Sequence, residues 1–66
     1  MTITCIKEDK NAEKEFFTVG KSYFVLDYRA GEWILVSDND NKDHYLSYEY
    51  AKEFFVDNSN DNEMNI

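Results

Sequence analysis

Proline is absent from this 66-residue sequence, glycine occurs twice (Gly20 and Gly31), cysteine once (Cys5) and histidine once (His44). One cysteine excludes an internal disulfide, and no metal-ligand cluster of conventional spacing replaces it. Both common staples of very small domains are therefore missing, in a size range where a core contributes only about 3–5 kcal/mol net. Two isolated glycines exclude a phosphate-cradling loop. No apolar run approaches the roughly 20 residues of a membrane helix, and Met1–Lys7 has no basic region leading into an apolar stretch. A soluble, cytoplasmic protein is expected, and a lone cysteine fits a reducing compartment. Basic residues are scarce, 7 against 14 acids, for a net charge of -7 and a pI near 4.4. A field of that sign repels phosphate backbones and anionic lipid, which disfavours direct nucleic-acid or membrane binding. It serves solubility, or it presents an acidic surface to a basic partner or in imitation of DNA.

Aromatic residues are plentiful at 17%. Each one buried removes roughly 150–250 Å² from water, so they compensate for the missing staples. Thr2–Lys7 alternates with period two, the signature of a half-buried strand. Glu8–Glu15 is polar without an apolar face and reads as a solvated loop. Phe16–Leu26 packs six large apolar side chains around Gly20, and Ser22–Tyr28 forms the second strand. Alternation there sets Tyr23, Val25 and Asp27 on one face and Phe24, Leu26 and Tyr28 on the other, both largely apolar. Arg29-Ala30-Gly31 turns the chain into a third strand, Glu32–Ser37. Asp38–Asp43 is an Asx-rich turn tolerant of left-handed backbone, and His44–Ser47 is a fourth strand. Tyr48–Glu53 suits one helical turn, of α or 3₁₀ type, with Ser47 as N-cap. Phe54–Val56 closes as a last strand. Residues 1–56 thus form one domain, and residues 57–66, acidic and nearly without apolar groups, form a disordered tail. Met64 and Ile66 at its end are incidental, or a weak anchor for a partner.

Patterns with chemical potential resolve into structure. Asp38-x-Asp40-x-Lys42-Asp43, with Glu49 further on, imitates a calcium loop, but Lys42 places a cation at a ligand position and Asp43 stands where the turn glycine belongs. An Asx-rich hairpin turn accounts for the same letters. His44 has Asp43 beside it, yet nothing brings either nucleophile, Cys5 or Ser47, within reach, so it reads as an exposed strand-edge histidine. Cys5 reads as a small buried hydrophobe. No catalytic residue, cofactor site or metal site is expected. Tyr45, Tyr48 and Tyr50 cluster near Trp33 and Tyr28 if the hairpins pair in this order. Such a platform stacks nucleic-acid bases only beside a basic track, which is lacking; Tyr and Trp are equally enriched at protein interfaces.

Five short strands, a long polar loop after the first, two tight hairpins and a helical turn before the last describe an all-β, SH3-like barrel. Thr4-Cys5-Ile6-Lys7, Phe17-Thr18-Val19-Gly20-Lys21-Ser22-Tyr23 and His44-Tyr45-Leu46-Ser47 leading to Phe54 or Phe55 give the chain its resemblance to small SH3-like proteins encoded by phages and prophages of Gram-positive bacteria. The resemblance covers about Thr2–Val56 and implies an accessory viral protein rather than an enzyme. In its terms Phe17 and Val19 cover a barrel end, Tyr23 and Val25 enter the core, and Phe24 stands where the pattern is often polar. The expected protein-binding surface is Phe24, Leu26, Asp27, Tyr28, Glu32 and Trp33, directed at a host or phage protein as binder or inhibitor. Two other readings remain open: an acidic mimic occupying a nucleic-acid groove, and a structural homo-oligomer such as a homodimer joined through the apolar second face.

Overall fold

The computed structural model describes residues 1–59 and Met64. The strands are β1 (Thr2–Cys5), β2 (Ser22–Arg29), β3 (Trp33–Ser37), β4 (Asp43–Ser47) and β5 (Phe55–Asp57), with one helix, α1 (Tyr48–Phe54), before the last. All ladders are antiparallel, in the order β4-β3-β2-β1-β5. Over the described residues the fold is all-β with a single short helix. Among the described residues no ladder joins β4 to β5, so the sheet is open; α1 packs instead against β3, β4 and β5.

β2 is the hinge of the sheet. Its first part pairs with β1 (Ile3 opposite Tyr23) and its second part with β3 (Val25 opposite Val36). Between Val25 and Asp27 the register slips, because Asp27 faces Leu35. One extra residue on β2, a β-bulge, therefore bends the strand and increases its twist. Residues directly opposite one another share a face, which assigns the core side to Ile3, Cys5, Tyr23, Ile34, Val36 and Leu46. These six are buried, and Ala51, Phe55 and Met64 complete the cluster. Burying an aliphatic or aromatic side chain contributes about 1.5–3 kcal/mol, so few such residues suffice for a domain of this size.

The turns follow their residues. A three-residue loop, Ala30-Gly31-Glu32, joins β2 to β3, with Gly31 at φ 74° and the Glu32 N–H on the Arg29 carbonyl at 2.9 Å, a common hairpin closure. In the next turn Asn41 takes φ 62°, and Asp38 Oδ1 accepts the N–H groups of Asp40 and Lys42 at 2.7 and 2.9 Å. The calcium-like spacing is thus an Asx turn. Ser47 Oγ caps α1 by accepting the Tyr50 N–H at 3.1 Å. The element is an α-helix of 7 residues rather than a single or 3₁₀ turn, because Tyr48, Tyr50 and Phe54 pack on the core along with Ala51.

Several expectations need correction. β1 ends at Cys5, not Lys7, since the Ile6 N–H turns to the Phe54 carbonyl at 2.8 Å. Val19 is exposed and covers nothing, whereas Phe17 packs on the core. The tail does not begin at Asp57. That residue is buried and ends β5 opposite Ile3, and Asn58 binds back to Thr2 through its backbone N–H at 3.1 Å and its side chain at 2.8 Å. Met64 is buried in this chain's own core and its carbonyl accepts the Tyr48 hydroxyl at 3.1 Å, so it is neither incidental nor free to anchor a partner. The expected disorder of the remaining tail, and Ile66, lie outside the described residues. No helix among the described residues is long and apolar enough to cross a membrane.

Candidate functional site

The register of the strands determines which side chains face away from the core. Ile34 and Val36 are inside, so Trp33 and Leu35 of the same strand are outside. Opposite them, Ser47 and Tyr45 of β4 also point outward. Phe24 lies opposite Thr2 and shares that outer side. The bulge then alters the alternation on β2: Asp27, opposite Leu35, turns outward, and Tyr28, opposite Ile34, falls on the core side at the end of the sheet. Leu26, the extra residue, is 52% exposed.

A band of apolar groups results, with Phe24 at 73% and Tyr45 at 71% exposure. Trp33 and Leu35 on β3 are half-buried. Trp33 and Tyr45 meet edge to face with centroids 5.1 Å apart, a favoured aromatic geometry. Of the expected surface, Phe24, Asp27 and Trp33 fall on the outer side and Leu26 is exposed at the bulge, with Phe24 and Trp33 toward opposite ends of the β2–β3 ladder. Tyr28 does not join them: strict alternation grouped it with Phe24 and Leu26, and the bulge breaks that alternation. Glu32 sits in the hairpin loop, where its carboxylate pairs with Arg29 Nε at 2.7 Å. Asp27 accepts the Tyr28 N–H at 2.8 Å. Tyr45 and Leu35 were missing from the expected surface. Leu35 alternates between two buried neighbours and was findable from that alone. Tyr45 belonged to the tyrosine cluster, which the structure divides, since Tyr48 and Tyr50 pack on the core from α1.

His44 departs from expectation as well. It lies opposite Val36 on the inner face, and its Nε2 donates to Asp38 Oδ2 at 2.6 Å. Its ring packs against Phe16 and Phe17 at centroid distances of 4.9 and 5.6 Å. It is a half-buried structural histidine, and its partner is Asp38 rather than Asp43. Burial alone pushes the Asp38 carboxyl up, but the N–H donors of Lys42, His44 and Asp40 outweigh it and hold the group below the usual carboxylate range. Asn39, unremarked in the sequence, clamps the long β1–β2 loop onto the β3–β4 turn. Its side chain accepts from the Tyr23 hydroxyl at 2.8 Å and donates to Thr18 Oγ1 at 3.0 Å, while its N–H binds the Phe16 carbonyl at 2.9 Å.

The long loop and α1 also enclose a cavity of about 220 Å³. Cys5, Phe16, Phe17, Tyr50, Phe54 and Phe55 supply its apolar walls, and three lysines, Lys7, Lys10 and Lys14, share its lining with three acids, Glu8, Asp9 and Glu15. Burial pushes the Cys5 thiol up, which favours the unreactive form. Tyr50 is likewise raised, first by burial and then by its hydrogen bond to Asp9. No group of three or more His, Cys, Asp or Glu side chains suited to a metal ion occurs among the described residues. No family model, curated protein or solved structure matches the chain.

Proposed function

We propose that this chain is a small protein-binding module of SH3-like architecture, a phage or prophage accessory protein that binds or inhibits a host or defence protein in the host cytoplasm. One observation carries the reading: a sheet face with Phe24, Leu26 and Tyr45 largely exposed and Trp33 against Tyr45. Exposed aromatic and aliphatic groups flanked by charged residues, here Asp27 and Arg29, are the composition of an interface with a polar rim. The architecture draws support from the strand order, the bent β2, the long loop after β1 and the helix before the last strand. α1 occupies the gap between β4 and β5 that a barrel would close. A non-enzymatic role is favoured by a histidine committed to Asp38 and a thiol held protonated by burial.

The test is comparative capture from host cells. Wild type should retain a defined protein that Phe24→Ser and Trp33→Ala lose, while Val19→Ser, at an exposed site elsewhere, retains it. Equal capture by all four proteins would remove the assignment. The acidic-mimic reading has less support, because Glu53, Asp40 and Glu32 are each paired with a cation of this chain. Binding through the aromatic band should change little with salt, whereas a mimic weakens steeply. Sedimentation over a range of concentrations distinguishes the homo-oligomer.

A further inference from the structure

We propose that the free edge of β4 takes up an extended, basic segment of a partner protein as a sixth strand. Backbone pairing is the first argument. In an antiparallel ladder, opposite residues alternate between exchanging both backbone hydrogen bonds and exchanging neither. The Tyr48 N–H binds the Glu32 carbonyl and the Asp38 N–H binds the Lys42 carbonyl, each at 2.9 Å. The bonded pairs between β3 and β4 are therefore Ile34 with Leu46 and Val36 with His44, and Asp43, Tyr45 and Ser47 turn their backbone groups away from β3. The Ser47 carbonyl is engaged by the helix it caps. The Tyr45 N–H and carbonyl make no hydrogen bond among the described residues. All three residues are exposed, so α1, which starts at Tyr48, and the long loop leave this edge open. β4 runs five residues in regular register without proline, lysine or a bulge, the devices that guard edge strands. β5, at the other edge, is protected by its length of 3 residues.

Charge selects the occupant. The edge opens onto a groove lined by Asp9, Ala12, Phe16, Phe17, Leu46 and Tyr50, with no lysine or arginine in its lining. Asp9 accepts only from neutral groups, the Asn11 N–H at 3.0 Å and the Tyr50 hydroxyl at 2.8 Å. Asp43, at one end of the edge, accepts the Ser37 hydroxyl at 2.7 Å, and Glu49 is exposed just past the other end. None of these three carboxylates forms an ion pair among the described residues. Lys42 in the adjoining turn offsets one of them, so the edge stays negative. It draws in a basic segment and repels an acidic one; a second copy of this chain, at net charge -7, meets the same repulsion. Side chains of the added strand alternate. Those opposite Asp43 and Ser47 carry the cations, the first in a cross-strand pair with Asp43, and those opposite His44 and Leu46 are apolar, because that side meets the groove. Main-chain bonds supply affinity and alternate side chains supply specificity, the mode of β-strand addition.

NMR titration of the full chain with the blocked peptide acetyl-KVTVK-amide tests this. The peptide should give saturable shifts at the Asp43, Tyr45 and Ser47 amides, slow the exchange of the Tyr45 N–H with solvent, and leave Phe24 unmoved. Acetyl-EVTVE-amide should not bind over the same range. Acetyl-KVPVK-amide, whose central residue has no N–H for the Tyr45 carbonyl, should bind about fivefold more weakly, the loss of one backbone hydrogen bond. Asp43→Asn combined with Glu49→Gln, checked for an unchanged fold by its melting temperature, should weaken the basic peptide roughly fivefold at low salt, the loss of two exposed ion pairs. Equal binding of the acidic peptide, full affinity of the proline peptide, an unchanged affinity in the double variant, or no saturable binding would each overturn the proposal. Shifts at Tyr45 that grow with protein concentration before any peptide is added would assign the edge to a second copy instead. Because Phe24 reports separately on the outer face, failure here leaves the protein-binding reading standing.

Discussion

Asp38 shows how much one buried side chain can organise. One carboxylate oxygen closes the β3–β4 turn through two backbone N–H groups, and the other holds the His44 ring on which Phe16 and Phe17 rest. Its folded-state pKa lies below that of the unfolded chain, so the stability it contributes is complete above the ordinary carboxylate range near pH 4. It is lost as pH falls through the depressed value. Urea unfolding of wild type between pH 7 and pH 2 should show this acid loss, and Asp38→Asn should lower stability at pH 7 while flattening that limb. A parallel decline in both proteins would assign the acid sensitivity elsewhere. Ser47 is a second decisive residue. Removing its cap with Ser47→Ala should cost about 1 kcal/mol, read as a fall in melting temperature of roughly 4–8 °C for a domain of this size.

At the level of elements, the long β1–β2 loop has no regular structure yet is well tethered. Asn39 binds Phe16 and Thr18, the Thr18 N–H donates to the Tyr23 hydroxyl at 2.6 Å, and Lys14 pairs with Asp40. Asn39→Ala removes the side-chain part of this clamp. The Thr18 amide should then lose protection from hydrogen exchange, while Ile34, Val36 and Leu46 at the centre of the sheet keep theirs. Uniform loss across the chain would mean that Asn39 supports the whole fold and not the loop. The bulge in β2 is the other device at this scale. By admitting one extra residue it turns Asp27 outward and Tyr28 toward Ile34, which sets the composition of the outer face.

For the molecule as a whole, stability rests on few groups. Phe55 is buried against Phe17 and Tyr23, where β5, β1 and the long loop converge. Phe55→Ala should cost about 3–5 kcal/mol, close to everything a core of this size supplies. Circular dichroism at 25 °C should find that variant largely unfolded, and a cooperative, wild-type-like melt would show that the core tolerates the cavity. By contrast, Phe24→Ser should leave the melting temperature nearly unchanged, because Phe24 is exposed and surface substitutions usually stay within about 0.5 kcal/mol.

Local chemistry was legible in the residues themselves. Period-two alternation marked the strands, Gly31 and the Asx run marked the turns, and Ser47 marked the helix start, because each depends on neighbours a few positions away. Alternation likewise set Phe24 apart from the buried Tyr23, whereas Asp27, grouped by alternation with Tyr23 and Val25, reaches the outer side only through the bulge. Tertiary pairing alone decided the rest. The bulge that separates Tyr28 from Phe24 exists only in the register between β2 and β3. Asn39 found Thr18 and Met64 found the core through contacts between distant segments, and His44 found Asp38 across the β3–β4 turn once the strand pairing placed it on the inner face. That no ladder joins β4 to β5 among the described residues, and that α1 packs against β3, β4 and β5, is likewise visible only in the tertiary structure.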